Sequence, residues 1–327
     1  MEFLDEVNVT IQLNELLSEL SDRTDELLSN EPRVVRKNDE LDVDDLPIAA
    51  VWHQLRDMVA VVFDMRHSTN LEKGRTPEGT ASIYDAGVTG VVMTVHRFGS
   101  DFIDIQGDGG FGLFWGRRPY ERAVCAAITV RSFSRNFHKS VGDRWPGLES
   151  TGFKVGLASG PVLVKRIGIP RQTEFQEPVW AGRPVNYAAK AAQQTEPERM
   201  LVTGSVWDEL YQNDYLTFSC GCENGIPNAG TPGSLWTAVN LQNIPDEQRF
   251  GQSLETYWCE RHGELFCNAV LDGQTRRSDI QDNQRSERLR QRIGTEELNE
   301  AANIRKSSRD ALQAEFADWI RRNGEHA

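Results

Sequence analysis

Strand-like and helix-like segments alternate through the middle of this chain, and this alternation is its strongest constraint on the fold. A continuous apolar run at 58–64 (MVAVVFD) predicts a buried strand, and apolar residues at helical spacing predict a helix over 82–99. IDIQGDGGFGLFWG (103–116) predicts two strands joined by a tight Asp-Gly turn, because such turns need positive φ at their centre. The pattern continues with a helix at 118–139, a strand pair at 153–168 around Ser159-Gly160-Pro161, a helix at 182–194, and a strand and helix within 199–210. It predicts a mixed α/β or α+β layer architecture.

The chain divides into three expected regions. Residues 1–47 form an N-terminal helix and an acidic linker, residues 48–243 the main domain, and residues 244–327 a C-terminal extension that is charged and helical. Leucines at helical spacing predict the first helix, which packs on the main domain, on a partner chain, or is an ordinary surface helix; they are Leu13, Leu16, Leu17, Leu20, Leu27 and Leu28. The segments LTFSCGC (216–222) and SLWTAVNL (234–241) predict a final strand pair of the main domain.

The composition excludes several classes of partner. A net charge of −13 argues against binding nucleic acid, since phosphate backbones require a basic surface. The sequence has no apolar run long enough to predict a membrane span, and its acidic start does not resemble a signal peptide. Five cysteines in a chain of 327 residues do not suggest a disulfide framework. We therefore expect a cytoplasmic protein without nucleic-acid or membrane partners.

Two aspartates stand at positions where the predicted strands end. Asp64 closes the apolar strand, and Asp108 lies in the glycine-flanked turn. Each alone is best explained as a helix cap or a turn residue. A hairpin beside the first strand would bring both to one edge of the sheet, where two carboxylates and a backbone carbonyl suit Mg²⁺ or Mn²⁺. The helix N-terminus expected after Met65 would offer free N–H groups to phosphates.

Four motifs in order extend this pattern: FDMRHSTNL, GDGGFGLFWG, KVGLASGPVLVKRIG and WAGRPVNYAAKAAQ. Over roughly residues 57–240 they resemble the motif series of class III nucleotide cyclases. The resemblance implies an α+β fold with a ferredoxin-like βαββαβ core, flanked here by the N-terminal helix and a cysteine-containing, helical C-terminal extension. It also implies a homodimer whose active sites form between two chains, each binding a nucleoside triphosphate and two Mn²⁺ or Mg²⁺ ions.

The resemblance carries roles to individual residues. Asp64 and Asp108 become metal ligands, with the carbonyl of Met65 as a third. The loop of Arg66, His67, Ser68 and Thr69 would bind the β- and γ-phosphates through backbone amides. Asn186 would orient the ribose and Lys190 would stabilise phosphate charge in the transition state, since charge develops there. The four-residue spacing of Asn186 and Lys190 places both on one helix face. Whether a metal activates the 3′-hydroxyl or Asp64 accepts its proton directly stays open.

The sequence departs from the purine-cyclase pattern mainly at the positions that select the nucleotide base. Asp104 stands where purine cyclases carry a base-selecting lysine, Val179 stands near their base-selecting Asp or Cys, and Lys190 replaces an arginine. These changes resemble the bacterial pyrimidine cyclases of Pycsar anti-phage defence, whose cyclic UMP or cyclic CMP activates a separate effector. A site without purine partners would leave a purine edge unpaired, which disfavours purines but does not choose between UTP and CTP; we favour UTP. The alternatives are a purine cyclase with an atypical base pocket and an inactive cyclase-like nucleotide sensor.

A second group of residues has the spacing of a metal site. Cys220-Gly-Cys222 and Cys259-Glu-Arg-His262-Gly, followed by Cys267, offer five candidate ligands of which four would hold a structural Zn²⁺. Reduced, partly buried thiols and an exposed histidine explain the same residues equally well. Cys125 lies in an apolar helix and is expected in the core.

Overall fold

A computed structural model describes residues 10–37, 41–46, 51–223, 226–227, 230, 232–244, 246–292 and 296–323. Its helices are α1 (Leu13–Leu28), α2 (Pro77–Arg97), α3 (Pro119–Arg144), α4 (Arg183–Gln193), α5 (Gly204–Leu210), α6 (Asp214–Thr217), α7 (Gly263–Leu271), α8 (Asp282–Arg292) and α9 (Glu296–Asn323). Its strands are β1 (Arg33–Lys37), β2 (Val51–Met65), β3 (Phe102–Gln106), β4 (Gly109–Phe114), β5 (Phe153–Gly168), β6 (Gln176–Gly182), β7 (Met200–Val202), β8 (Cys222–Glu223), β9 (Ile226–Pro227), β10 (Trp236–Asn240) and β11 (Phe250–Leu254).

One large sheet organises the molecule. Its strands follow the order β10-β11-β7-β5-β2-β4-β3, with β1 added to β2 and β6 added to β5. The run β2-α2-β3-β4-α3-β5 is a βαββαβ unit whose four strands are arranged β5-β2-β4-β3, the ferredoxin-like order. The predicted α+β core is therefore confirmed.

Both faces of the sheet are covered, because successive side chains of a strand point to opposite sides. On one face, α2 and α3 pack over Val59, Val61 and Phe63 of β2. On the other, α4 and residues 41–46 cover Met58 and Ala60. Asp64 lies an even number of residues after Met58 and Ala60 along β2. Its side chain is therefore on the same face, the one covered by α4, at the end of the strand.

The strand pair predicted around Ser159-Gly160-Pro161 is wrong, since β5 continues through all three residues. Proline lacks the N–H that a central strand donates. The pairing of β2 with β5 shifts register between Leu55 and Met58, opposite this segment. The bulge removes the need for a regular hydrogen bond at Pro161, so the strand bends and continues.

The predicted partner of the last strand is also wrong. β10 pairs antiparallel with β11. Within the segment predicted as its partner, Phe218 forms an isolated bridge with Ser234, and Cys222 begins the short strand β8, which pairs with β9. Since β11 lies between β10 and β7, the sheet continues beyond the boundary expected at residue 243. The boundary expected between residues 47 and 48 lies outside the described residues.

The N-terminal region differs in part from the expected linker. Residues 33–37 form β1, which pairs parallel with the start of β2, and Leu41 and Leu46 are buried against the α4 face. The predicted α1 forms, but it buries none of its side chains against the part of the chain that the structure describes. Its leucines are exposed, which leaves packing on a partner chain or a plain surface helix as the remaining explanations.

The C-terminal helices are held on the main domain by buried arginine contacts. Arg305 of α9 forms an ion pair with Asp208 of α5 at 2.6 Å, and Arg285 of α8 reaches Asp214 of α6 at the same distance. Phe316 is buried in contact with the guanidinium groups of Arg36 and Arg56. Among the described residues, no helix is both long enough and apolar enough to cross a bilayer.

Candidate active site

Asp64 lies at the end of β2, which is a central strand of the sheet. It is the last residue but one of β2, and its neighbours across the sheet are Gly109 of β4 and Lys154 of β5. The two neighbouring strands therefore hold the backbone of Asp64 from both sides. Its side chain is partly exposed, so it remains accessible to a ligand.

The β3–β4 turn brings Asp108 beside it. Gly107 has φ of +66°, a left-handed conformation that favours glycine at the turn. A Cβ at Gly109 would lie 2.6 Å from the carbonyl oxygen of Phe63 and 3.5 Å from Oδ1 of Asp64. Only glycine permits this close approach of β4 to β2. The turn therefore places two carboxylates together, as the sequence predicted.

The electrostatics of the pair suit a bound cation. Burial raises the pKa of Asp64, the charge of Asp108 raises it further, and Lys154 opposes both effects. A carboxylate whose pKa is raised by a neighbouring carboxylate gains free energy from a positive charge placed beside both. Oxygen donors are the ligands that Mg²⁺ and Mn²⁺ prefer. The residues present thus fit a divalent metal ion.

The loop after β2 is a tight turn rather than a full helix. His67 has φ of +59° and precedes a 3₁₀ turn over Ser68–Asn70. The first N–H groups of such a turn lack partners within it and are available to an anion. Arg66 differs, because its N–H donates to the carbonyl of Gly152 at 2.9 Å and its guanidinium pairs with Glu196 at 3.1 Å. The backbone amides of Ser68 and Thr69 are therefore better candidates for phosphate contacts than that of Arg66.

The side chains of this loop have partners within the chain. The ring of His67 lies 3.4 Å from a carboxylate oxygen of Glu149, a contact that is ionic only when the imidazole is protonated. Met65 is buried, with its side chain in the core beside α2, so only its backbone carbonyl is a possible metal ligand.

The sequence alone did not identify two residues that lie beside Asp64 and Asp108. Lys154 faces Asp64, and Tyr84 of α2 forms a hydrogen bond with Ser68 close to Asp108. Burial, and next the charge of Asp108, raises the pKa of the Tyr84 hydroxyl. A charged residue between the apolar Phe153 and Val155 was a visible signal for Lys154. No local pattern marks Tyr84, because it joins the site through helix packing.

Asn186 and Lys190 lie on α4, which packs over β5 and β2 on the face of the sheet that also carries Asp64. Asn186 is exposed and Lys190 is half-buried, and Nδ2 of Asn186 donates to the carbonyl of Gly182 at 3.2 Å. Nζ of Lys190 donates to the carbonyl of Asn243, in the segment after β10, at 2.7 Å. Within the described ranges, neither residue forms a hydrogen bond or ion pair with Asp64 or Asp108. One chain thus brings the acids together but not all predicted site residues.

The residues at the expected base positions lie near an aromatic cluster. Asp104 of β3 shares a strand face with Phe102 and accepts a hydrogen bond from Nε2 of Gln106 at 2.8 Å. Trp180 of β6 packs against Phe102, with ring centroids 5.2 Å apart, and its indole N–H is buried without a hydrogen-bond partner in the described part of the chain. Val179, its neighbour in β6, is exposed.

The five zinc candidates separate into two groups. Ligand atoms of Cys220, Cys222, Cys259 and His262 all lie within 4.8 Å of one another. Cys267 instead forms a hydrogen bond with Cys125, which is buried in the core as predicted.

Comparisons with known proteins agree with this architecture. The chain is 45% identical over 301 residues to a uridylate cyclase from Micromonospora echinofusca, covering 91% of this chain and 96% of the relative. It is 45% identical over 269 residues to a uridylate cyclase from Propioniciclava tarda, covering 81% and 86%. No protein-family model matches the chain.

Solved structures share the fold at low identity. A class III adenylyl cyclase-like ATP-binding protein from Pseudomonas aeruginosa is similar with a TM-score of 0.50 and 14% identity, covering 85% of this chain and 52% of that one. The adenylyl cyclase CyaB of P. aeruginosa has a TM-score of 0.46 and 14% identity, covering 62% and 93%. The 45% identity to the two curated relatives over most of the chain shows that this protein is a nucleotide cyclase and belongs to the uridylate cyclase family.

Proposed function

We propose that this enzyme converts UTP to 3′,5′-cyclic UMP and pyrophosphate, with CTP in place of UTP as the alternative. The observation that carries the proposal is the Asp64–Asp108 pair, brought together at the end of β2 in a chain whose relatives are uridylate cyclases. In the reaction, the ribose 3′-oxygen bonds to the α-phosphorus and loses its proton. The bond from that phosphorus to the oxygen bridging to the β-phosphate breaks, and pyrophosphate leaves.

Each residue has a defined task in this scheme. Asp64, Asp108 and the carbonyl of Met65 would hold two Mg²⁺ or Mn²⁺ ions, which supply charge neutralisation and a lowered pKa for the 3′-hydroxyl when bound. The amides of Ser68 and Thr69 would bind the phosphates, since a turn's free N–H groups favour anions. Lys190 would stabilise charge on the reacting phosphate, and Asn186 would orient the ribose.

We propose a homodimer in which two chains share each active site. Lys190 reaches towards the segment after β10, whereas the acids lie on β2 and the β3–β4 turn. Four strand spacings separate β2 from β10, roughly 19 Å at the usual distance between neighbouring strands. A second chain that places its α4 over the acids of the first would complete the set, and a two-fold axis would make two such sites.

The base pocket supports a pyrimidine. With Asp104 and Val179 at the expected positions, a purine would lack the lysine and acidic or thiol partners that read its edge, and unpaired polar groups are costly. Trp180 and Phe102 place aromatic bulk on the same face as Asp104. This arrangement favours a pyrimidine base, which is smaller than a purine.

The cellular role follows from the product. We propose that cyclic UMP serves as a second messenger in anti-phage defence and activates a separate cyclic-nucleotide-binding effector. The enzyme would act in the cytoplasm, where its five cysteines remain reduced.

Product identification tests the substrate directly. The purified protein would be incubated with Mn²⁺ and equal concentrations of ATP, GTP, CTP and UTP, and cyclic monophosphates would be identified by mass spectrometry. We expect cyclic UMP as the main product. Cyclic AMP or cyclic GMP as the main product would contradict the pyrimidine assignment. The absence of every cyclic product would favour an inactive nucleotide sensor.

Complementation tests the shared site. Asp108→Asn and Lys190→Ala chains should each be inactive alone, because each homodimer lacks one component of both sites. Mixed after dissociation, they should recover up to about a quarter of wild-type activity, since half of the dimers are mixed and each has one intact site. The control mixes Asp108→Asn with Asp64→Asn, lesions on the same side of the site, which should stay inactive. Equal activity in both mixtures would contradict a site shared between chains.

A further inference from the structure

We infer that Cys220, Cys222, Cys259 and His262 bind one Zn²⁺ and that this ion fastens the C-terminal extension to the cyclase domain. The four residues lie outside the catalytic face, and the inference does not depend on the proposed substrate. Their ligand atoms converge within 4.8 Å although the chain reaches them from two distant segments.

The distances match a tetrahedral site. Nδ1 of His262 lies 3.5 Å from Sγ of Cys222 and 3.8 Å from Sγ of Cys259. Bonds of about 2.3 Å to sulfur and about 2.0 Å to nitrogen separate neighbouring ligands of tetrahedral zinc by about 3.5–3.8 Å. These two separations already match those of bound zinc, and the other ligand pairs lie within 4.8 Å. Three sulfurs and one imidazole, with no open position, are the ligands of a structural site rather than a catalytic one.

The backbone supports both halves of the cluster. Gly221 has φ of +75°, and a Cβ there would lie 2.2 Å from the carbonyl oxygen of Gly230, so glycine lets Cys220 and Cys222 turn towards one point. The N–H groups of Arg261 and His262 form hydrogen bonds with the sulfur of Cys259, and that of Cys222 does so with Cys220. Donors of this kind fix the orientation of the two sulfurs, as outer contacts do for the ligands of metal sites.

Surrounding groups hold the histidine in place. The ring of Phe266 stacks on His262 with centroids 5.8 Å apart, and the guanidinium of Arg277 lies 4.4 Å from the Phe266 centroid. Asp279 lies within electrostatic reach of His262. Outer contacts of this kind orient the ligands of metal sites.

The same structure removes Cys267 from the ligand set. Its sulfur forms a hydrogen bond with Cys125, inside the core formed by α3 and α7. The spacing of the sequence admitted five candidates, and tertiary packing selects four.

Zinc would join the segment after α6 to the turn that begins α7. Arg277 already bonds the carbonyls of Phe218 and Ser219 at 2.9 and 3.0 Å, so the ion would reinforce a junction that the protein makes itself. We therefore assign the cluster to holding the part of the extension that begins α7 on the domain.

Metal analysis tests the site. We expect about one equivalent of zinc per chain in protein purified without chelator, and a loss of at least about 80% in Cys259→Ser. Cys267→Ser is the matched control and should keep the full equivalent. Asp108→Asn should also keep it, which separates this site from the catalytic metals. Equal zinc loss from Cys267→Ser and Cys259→Ser would overturn the ligand assignment.

Cobalt substitution keeps the test decisive if Cys259→Ser does not fold. Zinc-stripped wild-type protein titrated with Co²⁺ should show thiolate-to-cobalt charge transfer and intense tetrahedral d–d bands, saturating at one equivalent. Absence of these bands, or an intact mass showing a disulfide among these cysteines in freshly purified protein, would overturn the proposal.

Discussion

Asp64→Asn is expected to lower turnover by at least about a hundredfold and, in metal-free buffer at neutral pH, to raise the temperature of unfolding. Removing a carboxylate that holds a catalytic metal removes several kcal/mol of transition-state stabilisation, and each 1.4 kcal/mol corresponds to about tenfold in rate. Asp108→Asn should reduce activity equally. Initial rates with Mn²⁺ and UTP measure both effects.

The gain in stability follows from the direction of the pKa change. Burial and then Asp108 raise the pKa of Asp64 in the folded protein, so the folded state binds this proton more tightly than the unfolded state. Its contribution to stability is therefore present at low pH and is lost as pH rises through the raised pKa. An asparagine does not ionise and loses no stability as pH rises. In the presence of chelator, the unfolding temperature of Asp64→Asn should therefore exceed that of the wild type by an amount that grows from about pH 4 to pH 7.

In saturating Mg²⁺ the wild type should unfold at a higher temperature than Asp64→Asn, because a cation that binds only the folded wild type stabilises it by mass action. Asp85→Asn, at an exposed position on α2, is the matched control and should leave activity and its pH dependence unchanged. A lower unfolding temperature for Asp64→Asn in both chelator and Mg²⁺ would show that Asp64 is a structural residue instead.

Gly156→Ala is expected to destabilise the protein by roughly 1–3 kcal/mol or more and to reduce activity as well. A Cβ on this residue of β5 would lie 2.2 Å from the carbonyl oxygen of Ala188 and 2.4 Å from the backbone nitrogen of Ala192. Both atoms belong to the backbone of α4, so no side-chain rotation relieves the clash. The helix must move outward, and it carries Asn186 and Lys190 with it.

Thermal unfolding and initial rates measure the two consequences. A loss of this size corresponds to a decrease of roughly 2–10 °C in unfolding temperature for a domain of this length. Gly142→Ala is the matched control, because a Cβ added at this exposed position of α3 would meet no described residue beyond its own helix and should increase helix stability. Wild-type stability and activity in Gly156→Ala would show that α4 tolerates displacement and does not position the site.

Local patterns predicted the elements whose signals are contained within a few residues. The buried strand ending at Asp64, the hairpin around Asp108 and the helices α2 and α3 all formed where periodicity and turn residues indicated. Errors arose where a distant segment decided the outcome. The bulge in β2 that allows β5 to pass through Pro161 lies about a hundred residues earlier in the chain, and β11 joins the sheet from a region with no visible strand boundary.

The sequence by itself determined which chemistry is possible here: two carboxylates at strand ends, an Asn and a Lys one helical turn apart, and a Cys-x-Cys with a Cys-x-x-His. Tertiary structure alone decided which of these groups meet. Strand register joins Asp64 to Asp108, core packing assigns Cys267 to Cys125 rather than to the metal cluster, and the position of α4 directs Lys190 away from the acids of its own chain. The reason is physical, since spacing along a chain fixes only which face a side chain occupies, whereas register and burial depend on contacts between segments far apart in sequence.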